Sequence, residues 1–151
     1  MVRLRKANYA DMDVLYEWAN DSVVRNNSFC SKPISYETHK VWFNRIMSDP
    51  MTHQYILMDN SMAVGQIRLC VTGEEAEISY SIAKEFRGQG YGRILLRLTV
   101  EEVRTNHSEI VKLIAKVKPD NISSNKLFCS EGYSIDYCCY SLNTLIAKGE
   151  E

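Results

Sequence analysis

Six consecutive residues, Arg87-Gly88-Gln89-Gly90-Tyr91-Gly92, form the pattern in this chain best suited to chemistry on an anion. Their glycines let the backbone turn sharply and approach a ligand closely. Upstream, Ile78-Ser79-Tyr80-Ser81-Ile82 alternates as a strand does; downstream, Tyr91, Leu95 and Leu98 recur at helical spacing. Strand, glycine loop and helix in that order hold phosphate, because the first N–H groups of a helix lack an intrahelical acceptor and its dipole favours negative charge there. The same pattern also makes an ordinary strand-to-helix turn, so the loop alone leaves its occupant open.

The elements that must position this loop can be read along the chain. Residues 2–6 read as a first strand, and Asp11 as the cap of a helix with Val14, Leu15 and Trp18 on one side, ending near Asn20-Asp21. Residues 22–33 are rich in turn formers and read as a covering loop. Ser35 caps a second helix, on which His39, Trp42, Phe43, Ile46 and Met47 recur at three- and four-residue steps. Residues 54–58, 62–71 and 76–83 read as an antiparallel meander, turned by Asp59-Asn60-Ser61 and Thr72-Gly73-Glu74, that delivers the chain to the glycine loop. The following helix stops near Asn106. Residues 110–117 are apolar and short enough for a buried strand beside the glycine-loop strand. Residues 122–130 suit a short helix closed by Gly132, and residues 133–146 suit extended final strands. The expected class is α/β with a mixed sheet.

Composition narrows the partners. A chain of 151 residues with 18 Lys and Arg against 19 Asp and Glu suits one domain, and its net charge of −1 recruits neither nucleic acid nor an anionic membrane. No apolar run has the length of a signal core or a membrane span, so the expected location is cytoplasmic. The five cysteines, Cys30, Cys70, Cys129, Cys138 and Cys139, lack metal-finger spacing and read as free thiols; no metal is expected.

In order and in motif the chain resembles the GNAT family of N-acetyltransferases. Arg87, Gly90 and Gly92 match the family's acetyl-CoA signature, and Asn121 through Phe128 to Gly132-Tyr133 resembles its second signature. The resemblance implies the GNAT fold, a mostly antiparallel sheet flanked by helices, with acetyl-CoA as co-substrate and no metal. It implies that backbone N–H groups from Gly88, Gln89, Gly90, Tyr91, Gly92 and Arg93 cradle the pyrophosphate, and that the strand ending at Ile82 holds the pantetheine. Asn121, Asn125 and Phe128 would border the cofactor, Asn121 serving equally as a helix cap. A neutral amine then attacks the thioester directly, which requires loss of a proton beforehand. Glu77 is the candidate base with Ser79 beside it, and strand alternation puts both on one face and Tyr80 on the other; a solvated strand carboxylate is the plainer reading of Glu77. The family often carries a general-acid tyrosine where this chain has Phe128, and a phenyl ring donates no proton. Water, another tyrosine such as Tyr133, or no acid at all would serve.

The acceptor amine is to be sought in the first seventy residues. Arg25-Asn26-Asn27-Ser28-Phe29, then Ile34, Glu37, His39, Trp42-Phe43 and Gly65-Gln66-Ile67-Arg68, resemble the branch that acetylates nucleotide-linked amino sugars, as in pseudaminic acid pathways. That resemblance implies a UDP-amino sugar met by Arg25, Asn27, Phe29, His39, Trp42, Arg68 and Tyr80. Aromatic planes stack on a base or a deoxy-sugar face, and arginines pair with a diphosphate. Trp42 equally suits a core, His39 a hydrogen-bonded packing role, and the arginines a solvated surface. Acetylation of protein N-termini, and acyl-CoA binding without turnover, are the other readings. Closing strands with open edges would allow a homodimer.

Overall fold

A computed structural model describes residues 1–142. Five strands form one sheet in the spatial order β1-β2-β3-β4-β5: Val2–Lys6, Thr52–Asp59, Met62–Thr72, Glu75–Ile82 and Lys112–Ile114. Neighbours run antiparallel except β4 and β5, which are parallel and joined through α4, Tyr91–Asn106. The remaining helices are α1 (Met12–Ala19), α2 (Ser22–Asn27), α3 (Tyr36–Ser48) and α5 (Ile122–Ser130).

Side-chain alternation gives the sheet two faces, each covered by helices over part of its area. Tyr55, Leu57, Ile67, Leu69 and Ile78 pack with Leu95, Leu96 and Val103 of α4 and Phe128 of α5. Ile56 and Met58 pack with Leu15 of α1 and with Phe43 and Ile46 of α3. The helical spacings read from the sequence account for both: α3 buries His39, Phe43 and Ile46, and α4 buries Leu95, Leu96, Thr99 and Val103. Ser35 caps α3 by accepting from the Thr38 N–H.

Several expectations are corrected. Residues 22–27 are helix α2 rather than loop, because the Asp21 carboxylate accepts from the N–H groups of Val23 and Val24 and starts a helical turn there. Asp11 precedes α1 but does not cap it with its side chain; its carboxylate takes two bonds of 2.7 Å from Arg5 and one from the Asn8 N–H. The strand expected over 110–117 contracts to Lys112–Ile114, since only these residues pair with β4, and Lys112 is exposed. Residues 133–142 form no strand; the rest of that expectation lies outside the described residues.

The shortness of β5 shapes the molecule. Its last pair with β4 is Glu77 with Ile114, so β4 continues from Ile78 to Ile82 with no parallel neighbour. The two chains splay, and a gap opens at the end of β4 that leads into the glycine loop.

Candidate active site

Around this gap lies a cavity of about 770 Å³, walled by α2, α3, β3 and β4 on one side and by the glycine loop, α5 and residues 115–117 on the other. Of the site residues expected from sequence, Arg25, Asn27, Phe29, His39, Trp42, Arg68, Glu77, Ser79, Tyr80, Ile82, Arg87, Gly88, Gly90, Tyr91, Gly92, Asn121 and Phe128 line it. Gln89, Arg93 and Asn125 do not. Gln89 bonds the Glu85 carbonyl, Arg93 pairs with Glu131, and Asn125 donates to the carbonyls of Lys118 and Asn121, shaping the turn before α5.

The wall at the glycine loop is built from backbone. Gly88 (φ 73°) and Gly90 (φ 85°) adopt the left-handed conformation that disfavours side-chain-bearing residues, and Gly90 starts α4 with no side chain capping it. Ile94 is the residue whose N–H reaches back to Gly90, so those of Tyr91, Gly92 and Arg93 precede the helical ladder and are aimed outward at its positive end. At Gly92 an added Cβ would come within 2.9 Å of Leu127 Cδ2, so the missing side chain lets α5 pack against the start of α4. On β4, the Ala83 N–H bonds the Val64 carbonyl, which faces β3; alternation therefore turns the N–H groups of Ile82 and Tyr80 toward the open gap. These features fit a bound acetyl-CoA: an anion cradle at a helix start, and an unpaired strand edge for the amides of an extended chain.

The Arg87 side chain, which lines the cavity, is also tied into the fold. Its Nε donates to the Ile82 carbonyl at 3.0 Å and its Nη2 to Asp21 Oδ1 at 2.6 Å, tying the loop to the start of α2. Burial opposes ionisation of Asp21, but the Arg87 bond and the N–H groups of Val24 and Val23 outweigh it and hold its carboxyl below the usual range. Tyr91 is likewise anchored outward, its hydroxyl donating to Asp59 Oδ2 at 2.6 Å.

The wall on the α3 and β3 side is made of side chains. Register places Gln54, Arg68 and Ser79 in one row across β2, β3 and β4, with Gln66 and Ser81 in the next row on the same face. Gln54 Nε2 donates to Gln66 Oε1 at 2.7 Å, and Gln66 Nε2 donates to Ser81 Oγ at 3.1 Å. Arg68 lies over the Trp42 ring at 5.2 Å, and among the described residues it has no carboxylate partner. Glu77 also lines this space, its Oε2 2.8 Å from Lys116 Nζ, with both side chains about half exposed (48% and 52%). Among the described residues it is the only carboxylate lining the cavity.

Two expected substrate contacts line the cavity and are also tied into its wall. Arg25 binds the carbonyls of Ala19 and Cys30 and the Ser28 hydroxyl, clamping the loop after α2. His39 is 2% exposed, packs among Tyr16, Trp42 and Phe43, and is 2.9 Å through Nε2 from the Met12 carbonyl. Burial pushes its imidazole below the ordinary value, partly offset by that carbonyl and by Asp13, so at neutral pH it is an uncharged donor. Phe29, 71% exposed, stands at the rim.

Tyr80 takes the face opposite Glu77 and Ser79, as alternation requires, against Phe128 with ring centroids 5.8 Å apart. Its hydroxyl lies 2.8 Å from Ser124 Oγ. Sequence reasoning missed Ser124, Gln54, Gln66, Ser81 and Asp21. A strand register would have put the glutamines and serines on one floor, and the Asp21-Ser22 pair followed by apolar residues is itself a helix-start signal.

Residues 2–134 match the acetyltransferase (GNAT) domain family, and the chain belongs to that family. It is an acetyl-CoA-dependent N-acetyltransferase of the GNAT type, a five-stranded mixed sheet flanked by helices. Similar solved structures include spermidine N-acetyltransferase from Vibrio cholerae in complex with CoA and spermine, at 20% identity and TM-score 0.79, covering 87% of this chain and 79% of that one. A domain from Methanocaldococcus jannaschii reaches 24% identity and TM-score 0.75 over 87% of both chains. An aminoglycoside acetyltransferase in complex with coenzyme A has 20% identity and TM-score 0.74 over 87% of this chain and 83% of that one. At these identities the likeness is one of fold. Nothing matches among curated protein sequences.

Proposed function

We propose that the acceptor is a primary amine on a small molecule that also carries an anionic group, with a nucleotide-linked amino sugar the best fit. The observation that carries this reading is Arg68 stacked on Trp42 at the cavity floor, a cation without a carboxylate partner among the described residues. A guanidinium so placed is a bidentate donor for phosphate, and the indole plane beside it suits a base or a deoxygenated sugar face. Gln54, Gln66, Ser79 and Ser81, from two neighbouring rows, supply neutral donors and acceptors for hydroxyl groups. Spermidine and spermine, named in similar structures, are polycations that need carboxylates; among the described residues the one lining carboxylate, Glu77, is already beside Lys116.

In this reading the N–H groups at Gly88 to Arg93 hold the pyrophosphate of acetyl-CoA and the open edge of β4 holds the pantetheine. The amine approaches from the Arg68 side, loses its proton through water to Glu77, and attacks the carbonyl of the thioester. An N–H of the gap-facing edge at Ile82 stabilises the oxyanion. CoA release with acetyl-CoA and a panel of UDP-amino sugars, spermidine and a short peptide tests the assignment. Turnover is expected with the sugar nucleotide and not with spermidine; saturable turnover of spermidine alone would overturn it.

A further inference from the structure

The acceptor and donor halves account for attack on the carbonyl but not for the sulfur that leaves. An alkyl thiol ionises only above about pH 8, so a departing thiolate is favoured when it takes up a proton, the more so where nothing solvates it. Ile82, Leu127, Phe128 and Val117 border the gap and offer no proton. Phe128 has no proton to give. Tyr133 packs on it at 5.0 Å, but its hydroxyl is buried with no hydrogen-bond partner among the described residues and does not line the cavity.

One phenol does line the cavity beside Phe128. Tyr80 sits three residues past Glu77, the last β4 residue paired to β5, so it belongs to the splayed part of the strand. Its ring crosses Phe128 edge to face, and its hydroxyl reaches Ser124 Oγ at 2.8 Å, one helical turn before Phe128 on α5. Ser124 is fixed in turn, its N–H donating to Asn121 Oδ1 at the start of the helix. With the Ser124 hydroxyl donating to the phenol oxygen, the phenol proton is free to point into the gap. Burial pushes the phenol above its ordinary value and the Ser124 bond partly counters this, so the group is protonated at neutral pH.

We propose that Tyr80 is the proton donor to the CoA sulfur, with Ser124 as the residue that positions it. As the N–C bond forms and the C–S bond breaks, the phenol proton passes to sulfur, giving CoA thiol. The phenolate is then reprotonated from water by way of Ser124, and the proton lost by the amine balances it. The phenol thus comes from a strand rather than from α5. This rests on acetyl transfer itself and not on the identity of the acceptor.

Two measurements on the intact protein test it. In steady state with any accepted amine, Tyr80→Phe is expected to lower kcat about 100-fold with the KM for acetyl-CoA within about twofold. Ser124→Ala is expected to cost several-fold by itself and nothing further in the Tyr80→Phe background, as groups acting as a unit do. The second needs no acceptor: calorimetric affinities for CoA and for desulfo-CoA, which lacks the sulfur. The native protein is expected to prefer CoA by about three- to tenfold, and Tyr80→Phe to lose that preference while keeping its desulfo-CoA affinity. An unchanged preference for CoA in Tyr80→Phe, or a kcat within about twofold of native, would overturn the assignment.

Discussion

In the proposed reading the two walls of the cavity recognise in different ways: Gly88, Gly90 and the N–H groups at the start of α4 present backbone to acetyl-CoA, and Arg68, Trp42, Gln54 and Gln66 present side chains from three separate elements to the acceptor. The two halves share β4 and little else. Backbone recognition depends on conformation, so few substitutions alter it and those that do act through φ. Side-chain recognition depends on charge and shape, so single substitutions change which molecule is accepted while leaving the donor in place.

The separation can be broken at Arg68. Arg68→Ala is expected to lower kcat/KM for an anionic acceptor by about 10- to 100-fold, the range for a lost charge-assisted pair, with the KM for acetyl-CoA unchanged. Equal losses for both substrates would show the halves to be one site. Gly90→Ala probes the donor side alone. An added Cβ meets nothing within 4 Å, so its effect is conformational, about 1–2 kcal/mol at φ 85°, and acetyl-CoA affinity measured by calorimetry should fall about tenfold. Glu77→Gln should reduce kcat by several-fold, short of the ~100-fold or more of a dedicated base, because a half-exposed carboxylate beside Lys116 is already partly neutralised.

The smallest expected effect concerns the tie between the halves. Asp21→Asn removes the Arg87 pair and should weaken both substrates by about two- to threefold. It also has a pH signature. The folded carboxyl of Asp21 is held below its ordinary value, so its contribution to stability is complete above about pH 4, where the unfolded group is ionised, and is lost as pH falls through the lower folded value. Thermal unfolding followed from pH 7 down to pH 2 should therefore drop less steeply at the acid end in Asp21→Asn than in the native protein.

The glycine loop was legible in the sequence because its cause is local. Glycines needed for a left-handed turn, and a helix that starts without a cap, leave a local pattern that can be read without knowing the fold. The acceptor half is assembled by register: Gln54, Arg68 and Ser79 become neighbours only once β2, β3 and β4 are aligned. Arg25 illustrates the hazard. The resemblance implied a diphosphate contact for it, and only the folded loop reveals that the guanidinium also binds the Ser28 hydroxyl and the Cys30 carbonyl. Residues 22–27 were misread because turn-forming composition outweighed the single aspartate that nucleates α2. Residues 133–142 were misread because β propensity says nothing about whether a partner strand lies alongside.

Helix α2 buries none of its residues. It is moored by polar ties at its ends, Asp21 to Arg87 at one and the Asn26 carbonyl, which accepts from Lys118 Nζ at 3.0 Å, near the other. A wall of the cavity is thus held by polar ties rather than by either apolar core, so substitutions on its exposed face can reshape the cavity without opening a void in the packing.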